Sequence, residues 1–415
     1  MAQVKRCFAT RHSDYGYRFN VRACYDGLPG QVLWTWLTGK GKPLTEARLQ
    51  GALKPTGEVK LWGHLLFTWA IILCTVGFGH YTLTAGLPLP LTGLMIAFCW
   101  LMVVNRLRSI QATFHYLTHG ALIQNTIRAK RYATCAMTAP LLYTGWDAYV
   151  GSHVREHHHI RNLCSDGDPD QRFIAAQGFS IGMPERTFWL RVWLTPFMPH
   201  FIAARVMESL YESFVKPSTA EIQFRATFWC VVIGLCALHG LLWELTLFYL
   251  FPLLVLFQHS MWLQLFTEHL WFSARDPAFT EQQNYGKLTW GRFQGRPLPR
   301  KGLLSGLTWL AKAIVLDIPV RLYVYPQDLP NHDFHHRCPK VSYWRIADVR
   351  ATIENQPNRF GPQYEVWGFM STLRVIRDHL CYGKSDPFGT FHNTNAPFRN
   401  NVRENESNEA ITRHS

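Results

Sequence analysis

The chain has 415 residues, of which 14% are aromatic and 17% are charged, and its formal net charge is +14. Its ten cysteines include no C-x-x-C pair, which argues against a zinc ribbon, an iron–sulfur site and a disulfide scaffold. The chain also has no nucleic-acid-binding motif. The positive charge and the abundant aromatic residues therefore favour a protein associated with an anionic membrane surface.

Residues 1–60 are polar and basic, and the first twenty have no apolar core of the kind found in a signal peptide. We expect this segment to be cytoplasmic. Trp34 and Trp36 lie in it, and an interfacial helix is the structure that we predict there.

Four apolar stretches are long enough, or nearly so, to cross a hydrocarbon layer about 30 Å thick. They lie at about residues 61–80, 88–107, 226–243 and 245–266. The connections within the first and last pairs are short, which predicts two helical hairpins. Lys and Arg are frequent elsewhere but absent from the hairpin tips at 81–90 and near Glu244, so both termini and the central segment are predicted to be cytoplasmic.

These observations predict an all-α integral membrane protein with four transmembrane helices in two hairpins and a cytoplasmic helical cap. The membrane domain is expected at 61–345, a cytoplasmic segment at 346–390, and a disordered tail at 391–415 because that stretch is polar.

Two further apolar stretches are predicted to lie at the membrane without crossing it. Residues 133–151 contain Pro140 and Asp147 and are expected to be re-entrant or interfacial. Residues 186–214 combine Trp and Phe with Arg, which indicates a segment along the membrane surface, although a helix packed on the cytoplasmic cap explains the pattern equally well.

Histidines cluster near the predicted cytoplasmic ends of the spans. The patterns are H-x-x-x-H, H-x-x-x-H-H, a single histidine after the fourth span, and H-x-x-H-H; their members are His115, His119, His153, His157, His158, His269, His332, His335 and His336. Imidazole binds divalent iron, copper, nickel and zinc. One metal accepts four to six ligands, so nine histidines indicate two metals. The isolated His64, His239 and His259 are better explained as structural residues, and so is His159, which extends the second run.

With these motifs in this order among four spans, residues 60–345 resemble the membrane fatty acid desaturase and hydroxylase superfamily. Flanking residues agree with it, namely Gly120 after His119, "DGDPD" at 166–170, and Glu268 before His269. The resemblance implies a di-iron centre held by the nine histidines, with O2 as co-substrate and no catalytic residue beyond the metal ligands.

Four polar neighbours could orient the ligand rings from behind. They are Glu156, Glu268, Asn331 and Asp333. The first motif departs from the family because Tyr116 stands where an acidic residue is frequent. The Glu-His pair at 268–269 is more similar to that of membrane alkane hydroxylases than to the Asn-led motif of animal desaturases.

The resemblance implies oxygen-dependent attack on an unactivated C–H bond, which yields either a double bond or a hydroxyl group. We predict a fatty acid desaturase acting on a lipid or an acyl thioester, with a hydroxylase of an acyl chain, an alkane or a similar lipid as the alternative. The sequence has no dinucleotide-binding fingerprint and no four-cysteine ferredoxin pattern. The resemblance implies a separate ferredoxin, rubredoxin or b-type cytochrome with its reductase, and a bacterial inner membrane is the expected location.

Two other readings compete with an oxygenase. "HVREH" at 153–157 also matches the H-x-x-E-H signature of zinc peptidases, in which Glu156 would be the base. A metal transporter is the second reading, but it requires polar residues inside the spans. The peptidase reading leaves the histidines at 115–119 and 332–336 unexplained. Against the transporter reading, the histidine clusters lie outside the predicted spans, and His64, His239 and His259 are isolated.

Overall fold

A computed structural model describes residues 10–299 and 302–389. The tail predicted to be disordered at 391–415 lies outside these residues. The helices in chain order are α1 (Gln31–Thr38), α2 (Glu46–Ala52), α3 (Glu58–Thr84), α4 (Leu89–Thr118), α5 (Thr126–Ala133), α6 (Trp146–Tyr149), α7 (Pro169–Ala176), α8 (Glu185–Leu194), α9 (Pro199–Phe214), α10 (Thr219–Leu238), α11 (Leu242–Phe266), α12 (Glu281–Lys287), α13 (Leu303–Val324), α14 (His332–Arg337), α15 (Ile346–Ile353) and α16 (Phe369–Tyr382). The strands are β1 (Arg11–His12), β2 (Gly291–Phe293) and β3 (Tyr364–Trp367).

Several helices contain π-helical turns, in which the backbone is wound more loosely. Helix α5 continues as Thr134–Thr138 and α6 continues as Val150–His157. Helices α11 and α13 also include such turns. Turns of this kind are frequent at functional sites.

Five helices of the described residues are long and apolar enough to cross a membrane, namely α3, α4, α10, α11 and α13. The first four overlap the stretches predicted from the sequence, although α10 ends at Leu238, before the predicted end at 243. Helix α13 was not predicted, because Lys312, Asp317, Pro319 and Arg321 interrupt its apolar residues. Its row of outward leucines nevertheless stays exposed on the surface.

Residues 134–151 are not among the candidate spans; they lie between the spans instead. Trp69 of α3 donates a hydrogen bond to the carbonyl of Ala136 (3.0 Å), and Trp229 of α10 donates one to the carbonyl of Ala139 (3.0 Å). Tyr249 of α11 likewise donates to the carbonyl of Pro140 (3.1 Å). These donors satisfy non-helical backbone that is buried within the protein, the condition under which such backbone is tolerated near a membrane.

The cap contains a small parallel sheet with strand order β1-β3-β2. Arg11 pairs with Tyr364, and Gly291 pairs with Glu365. The fold is mostly helical, but the prediction of an all-α chain omitted this sheet. Strands of two to four residues are too short to show the alternation by which a strand is recognised in a sequence.

Buried charges join the N-terminal segment to the rest of the cap. The Lys40 ammonium contacts the carboxylates of Glu354 (2.7 Å) and Glu365. Arg350 contacts Glu365 (2.8 Å) and Asp333 (2.9 Å). Residues 10–41 are therefore part of the cap, and they lie directly behind α14.

Candidate metal centre

Nine histidines lie in two neighbouring groups, and within each group the potential ligand atoms lie within 4.8 Å of one another. The five-histidine group comprises His115, His119, His153, His158 and His335. The four-histidine group comprises His157, His269, His332 and His336. These are the nine histidines of the sequence motifs. His159 is exposed and belongs to neither group.

The first motif is carried by α4, which continues from its apolar part to Thr118 without a break. His115 lies in the last turn of this helix, and His119 is the residue at its C-terminal end. A separation of four residues places both rings on one side of a helix. Their ring centroids are 5.1 Å apart, and both belong to the five-histidine group.

The second motif lies on the π-helical continuation of α6, and this geometry divides it between the groups. The N–H of His158 donates to the carbonyl of His153 five residues earlier (3.0 Å), so these two residues lie one π-turn apart. Their Nε2 atoms are 3.2 Å apart. Adjacent residues on a helix point roughly 100° apart. His157 consequently turns away from His158 and into the four-histidine group.

The third motif, on α14, is divided in the same way. His332 and His336 are one α-helical turn apart, and their Nε2 atoms are separated by 2.9 Å. His335 points to the other group, where its Nε2 lies 2.6 Å from that of His115. The rings of His158 and His336 stack with centroids 4.1 Å apart, so the two groups adjoin.

His269 reaches the four-histidine group from the end of α11. Its backbone forms an isolated antiparallel bridge with Thr289, and the next residue, Leu270, donates to the carbonyl of Leu288 (3.1 Å). This short bridge fixes the backbone of His269 against Thr289, which lies two residues before β2 begins.

The residues present fit metal ions. Imidazole nitrogens of His119, His157 and His269 are buried and have no hydrogen-bond partner in the described part of the chain. Buried ring nitrogens without a partner are rare unless an ion or a water molecule binds them. Nitrogens 2.6–3.2 Å apart within a group also match adjacent ligands of one ion, because each metal–imidazole bond is about 2.1 Å long.

Burial favours the neutral form of these rings, which is the form that binds metals. It lowers the pKa of His153, His158 and His269 well below 6.5, and neighbouring histidines lower it further. The same causes lower the pKa of His119 to about 3. At neutral pH these four imidazoles are uncharged.

His157 is the exception, because a buried carboxylate holds its outer nitrogen. Its Nδ1 lies 2.9 Å from Oδ1 of Asp168, and that side chain also accepts hydrogen bonds from the backbone N–H groups of Cys164 (3.0 Å) and Asp170 (2.9 Å). Burial alone would lower the pKa of His157, but the carboxylates of Asp168 and Asp170 raise it to about 9. The Asp168 carboxylate therefore accepts the Nδ1 proton, and Nε2 remains buried without a hydrogen-bond partner among the described residues.

The sequence analysis noted Asp168 only as part of the "DGDPD" stretch and missed this contact. A signal was nevertheless present, since an Asp before the Pro169 that opens α7 is a typical helix N-cap. The N-cap fixes the carboxylate, whose Oδ1 then remains available to His157.

Two tyrosines bind the outer nitrogens of other rings. The Tyr285 hydroxyl lies 2.7 Å from Nδ1 of His336 and donates to the carbonyl of His158 (3.3 Å). The Tyr149 hydroxyl lies 3.2 Å from Nδ1 of His115. No sequence pattern indicated either contact, because Tyr285 and Tyr149 are distant in the chain from the histidines that they touch.

Of the four polar neighbours singled out in the sequence, Glu268 is the one that touches a histidine ring. Its Oε1 lies 3.5 Å from Nε2 of His332, and burial raises the pKa of this carboxyl to about 7. Glu156 is exposed and lies near Arg172 (3.7 Å). The Asn331 amide donates to the carbonyl of Gly39 (2.7 Å), and Asp333 pairs with Arg350, so both hold the backbone of α14.

Tyr116 stands where an acidic residue is frequent in the first motif. Its side chain contacts a carboxylate from another segment of the chain. The Tyr116 hydroxyl donates to Asp328, which is buried four residues before His332. The Tyr116 ring centroid lies 4.7 Å from that of His335. Tyr116 therefore links the first motif to Asp328 in the segment before α14.

A cavity of about 380 Å³ leads from the surface to both histidine groups. At its inner end it is lined by His115 and His153 of one group and His332 of the other. Met261, Trp262, Leu265, Phe173 and Phe201 form the apolar part of its wall. A chain of methylene groups can therefore approach both groups from the side of α9.

A family model described as fatty acid desaturase matches residues 90–300, which extend from the start of α4 past β2. The match includes the first two histidine motifs and His269. The third motif lies beyond it, and its place in the site follows from the geometry of α14. A comparison with curated proteins finds no match.

Proposed function

Because the chain belongs to the fatty acid desaturase family, we propose that it is a membrane-bound oxidoreductase that uses O2 and external electrons to desaturate an acyl chain. Hydroxylation of an acyl chain, an alkane or a similar lipid is the second candidate, favoured by the Glu268–His269 pair. The observation that carries both is the pair of histidine groups at the inner end of one cavity.

We propose two iron ions as the cofactor, one in each group, with all nine histidines as ligands. Bound iron supplies the oxygen chemistry that attacks an unactivated C–H bond. The purely imidazole donor set and the buried ring nitrogens without partners support this assignment. Zinc in place of iron would instead favour the peptidase or transporter reading.

The chain's own residues hold these rings and the substrate in place. Asp168 keeps the proton of His157 on Nδ1, and Tyr285 and Tyr149 fix the orientation of His336 and His115. Trp262 and Leu265 line the path by which the acyl chain arrives and exclude water from it. The position of a substrate carbon in this cavity decides between a double bond and a hydroxyl group.

We propose four membrane crossings, with α13 lying along the cap. Trp309 of α13 donates to the carbonyl of Arg296 (3.1 Å), and Asp317 pairs with the Arg296 side chain (3.0 Å). Further along, Arg321 donates to the carbonyl of Trp36 (2.7 Å). These contacts of residues 309–321 with the cap support a position of α13 along the membrane surface. His269 before it and His332 after it then lie on the same side, which we propose is cytoplasmic together with both termini.

The electrons are proposed to come from a separate acidic carrier of the ferredoxin, rubredoxin or b-type cytochrome class. A net charge of +14 supports this, because opposite charges steer an encounter. Turnover with limiting carrier is expected to fall as salt is added. Rates that do not change with salt would contradict electrostatic docking.

The proposed function is tested by mass spectrometry of total acyl lipids from cells that express the chain or its His335→Ala variant. A species two hydrogens lighter that the variant lacks would establish a desaturase. A species one oxygen heavier would establish a hydroxylase. Identical lipid profiles in cells with iron-loaded protein and a supplied carrier would contradict both.

A further inference from the structure

Helix α9 forms the outer mouth of the cavity and presents one polar face to it. Phe201, Arg205, Ser209 and Glu212 are spaced by three or four residues and all line the cavity, as Lys216 does just beyond the helix. This spacing places them along one side of a helix. A substrate that reaches the histidine groups by this route passes α9.

The cations at this mouth are already paired with carboxylates. Arg205 contacts Glu208, and Lys216 contacts Glu212 at 2.6 Å. Arg225, which donates to the carbonyl of Tyr143 in the cavity wall, pairs with Glu221. The mouth consequently has no excess of positive charge.

The described lining of the interior contains carboxyl groups and, apart from Arg205 and Lys216, no Lys or Arg. Asp170, Glu268 and Asp328 all line the cavity between its mouth and the histidines. An anionic head group that entered would meet carboxylates and would find its potential cation partners engaged. Like charges brought together in this way cost several kcal/mol.

The outer face of α9 is apolar, which places the mouth at the level of the bilayer. Met207 is 66% exposed and Tyr211 is 53% exposed, and Leu210 between them is also exposed. The helix ends at Phe214, and the candidate span α10 begins at Thr219. A helix with one apolar face that leads directly into a span lies in the membrane interface.

Inside the mouth, α11 offers a path for a hydrocarbon chain. Gln258, Met261, Trp262 and Leu265 line the cavity from one face of this helix. They cover about two turns, or roughly 10 Å along the axis. The amide of Gln258 accepts a hydrogen bond from Arg205 (3.2 Å), so the polar end of the path is at α9 and its apolar part leads toward the histidines.

We propose that the substrate is an acyl chain still esterified in a zwitterionic phospholipid, which enters the cavity sideways from the bilayer past α9. The paired charges at the mouth suit a head group with one phosphate and one ammonium, each of which can exchange partners with an ion pair. A coenzyme A thioester, with several phosphates, would need free cations that the mouth does not provide. This inference rests on the proposed function and selects between the two substrate classes that fit it.

The test is photo-crosslinking with two probes that differ in the head group. One is phosphatidylcholine and the other is palmitoyl-coenzyme A, each with a diazirine at the same acyl carbon. The inactive His335→Ala protein is reconstituted in phosphatidylcholine vesicles, irradiated and digested. We expect the phospholipid probe to label the peptide with Met261–Leu265 about tenfold more than the thioester at equal membrane concentration. Equal or stronger labelling by the thioester would overturn the proposal.

Two matched variants of α9 separate passage through the mouth from general contact with lipid. In Ser209→Trp an indole is added on the cavity face, and in Met207→Trp one is added on the apolar outer face. Labelling inside the cavity is expected to fall severalfold in the first variant and to stay unchanged in the second. An unchanged signal in both variants would show that the lipid does not enter past α9.

Crosslinking does not require turnover. The proposed function and the phospholipid substrate can therefore be contradicted independently of each other. Labelling without any altered acyl species in the active protein would contradict the proposed function and leave the lipid site in place. A desaturated or hydroxylated product that appears first in the coenzyme A pool would support the proposed function and overturn the phospholipid as substrate.

Discussion

His157 and His158 are neighbours in the chain but belong to different histidine groups, and the same holds for His335 and His336. On a helix, adjacent side chains diverge by roughly 100°, so one pair of residues can serve two sites. A motif with a doubled histidine therefore does more than supply an additional ligand, because it ties the positions of the two groups to each other.

We expect His157→Ala and His158→Ala each to lose about half of the bound iron, since each removes a ligand from one group. Elemental analysis of the purified protein measures the iron content. His159→Ala is the matched control: this histidine is exposed and outside both groups, and the variant should retain its iron. Full iron content in either of the first two variants would remove that residue from the proposed ligands.

Asp168 is expected to act as a positioning residue for His157. In Asp168→Asn the carboxylate that accepts the Nδ1 proton is lost, and we expect iron affinity to fall about 10–100-fold. Competition with a chelator measures this affinity without any need for turnover. Asp166→Asn changes an exposed carboxylate two residues away and should leave the affinity unchanged. Equal affinities in both variants would contradict the role of Asp168.

At this scale the sequence predicted the nine histidines but few of their partners. The histidines could be recognised because they recur in short motifs near the ends of apolar stretches. Tyr285 and Tyr149 could not, because a single tyrosine has no local pattern and its contact is created by the tertiary fold.

Among the elements, α13 is the one whose composition and contacts point to different positions. Its length and hydropathy suffice for a crossing, whereas its contacts with Arg296 and Trp36 hold it against the cap. Hydropathy counts apolar residues without regard to where they point. A helix that exposes leucines to lipid along the membrane surface therefore has the same mean hydropathy as a helix that crosses the membrane.

Cysteine labelling tests the orientation of α13. In a cysteine-free background, Gly302→Cys before α13 and Asn358→Cys in the cap should both react with a membrane-impermeant maleimide added from the cytoplasmic side. Thr84→Cys, at the tip of the first hairpin, should react from the opposite side only. Labelling of Gly302→Cys and Asn358→Cys from opposite sides of the membrane would mean that α13 crosses.

The four other candidate spans overlap the predicted stretches because their apolar runs are long and contain few charges. The small sheet was missed, and so were the π-helical turns. Both depend on backbone geometry rather than on residue type. The π-turn at Val150–His157 shows why this matters, since it decides which histidines of the second motif share a group.

On the scale of the whole molecule, the buried ion pairs of Lys40, Arg350, Glu365 and Asp333 hold the termini of the described chain together around α14. Burial alone would raise the pKa of Glu365, but Lys40 and Arg350 lower it to about 2. This carboxylate therefore contributes stability above its ordinary pKa of 4.5, and the contribution is lost as the pH falls toward 2.

Glu365→Gln is expected to destabilise the protein by about 3–5 kcal/mol, because it leaves buried cations without their partner. Thermal unfolding at pH 7 measures the loss, and the difference from the unaltered protein should narrow at pH 3. Glu281→Gln breaks an exposed pair with Arg161 and should cost about 0–1 kcal/mol. A cost as small for Glu365 would mean that the buried pairs do not hold the cap.

Each histidine group draws members from both sides of the second hairpin. His115–His158 precede α10 and α11, while His269 and His332–His336 follow them. During synthesis, neither group can be complete until residue 336 has left the ribosome, by which time every apolar span has already been delivered to the membrane. Complete loading of the proposed metal site therefore follows synthesis of the spans, and a nascent chain that stalls before His332 reaches the bilayer with neither group complete.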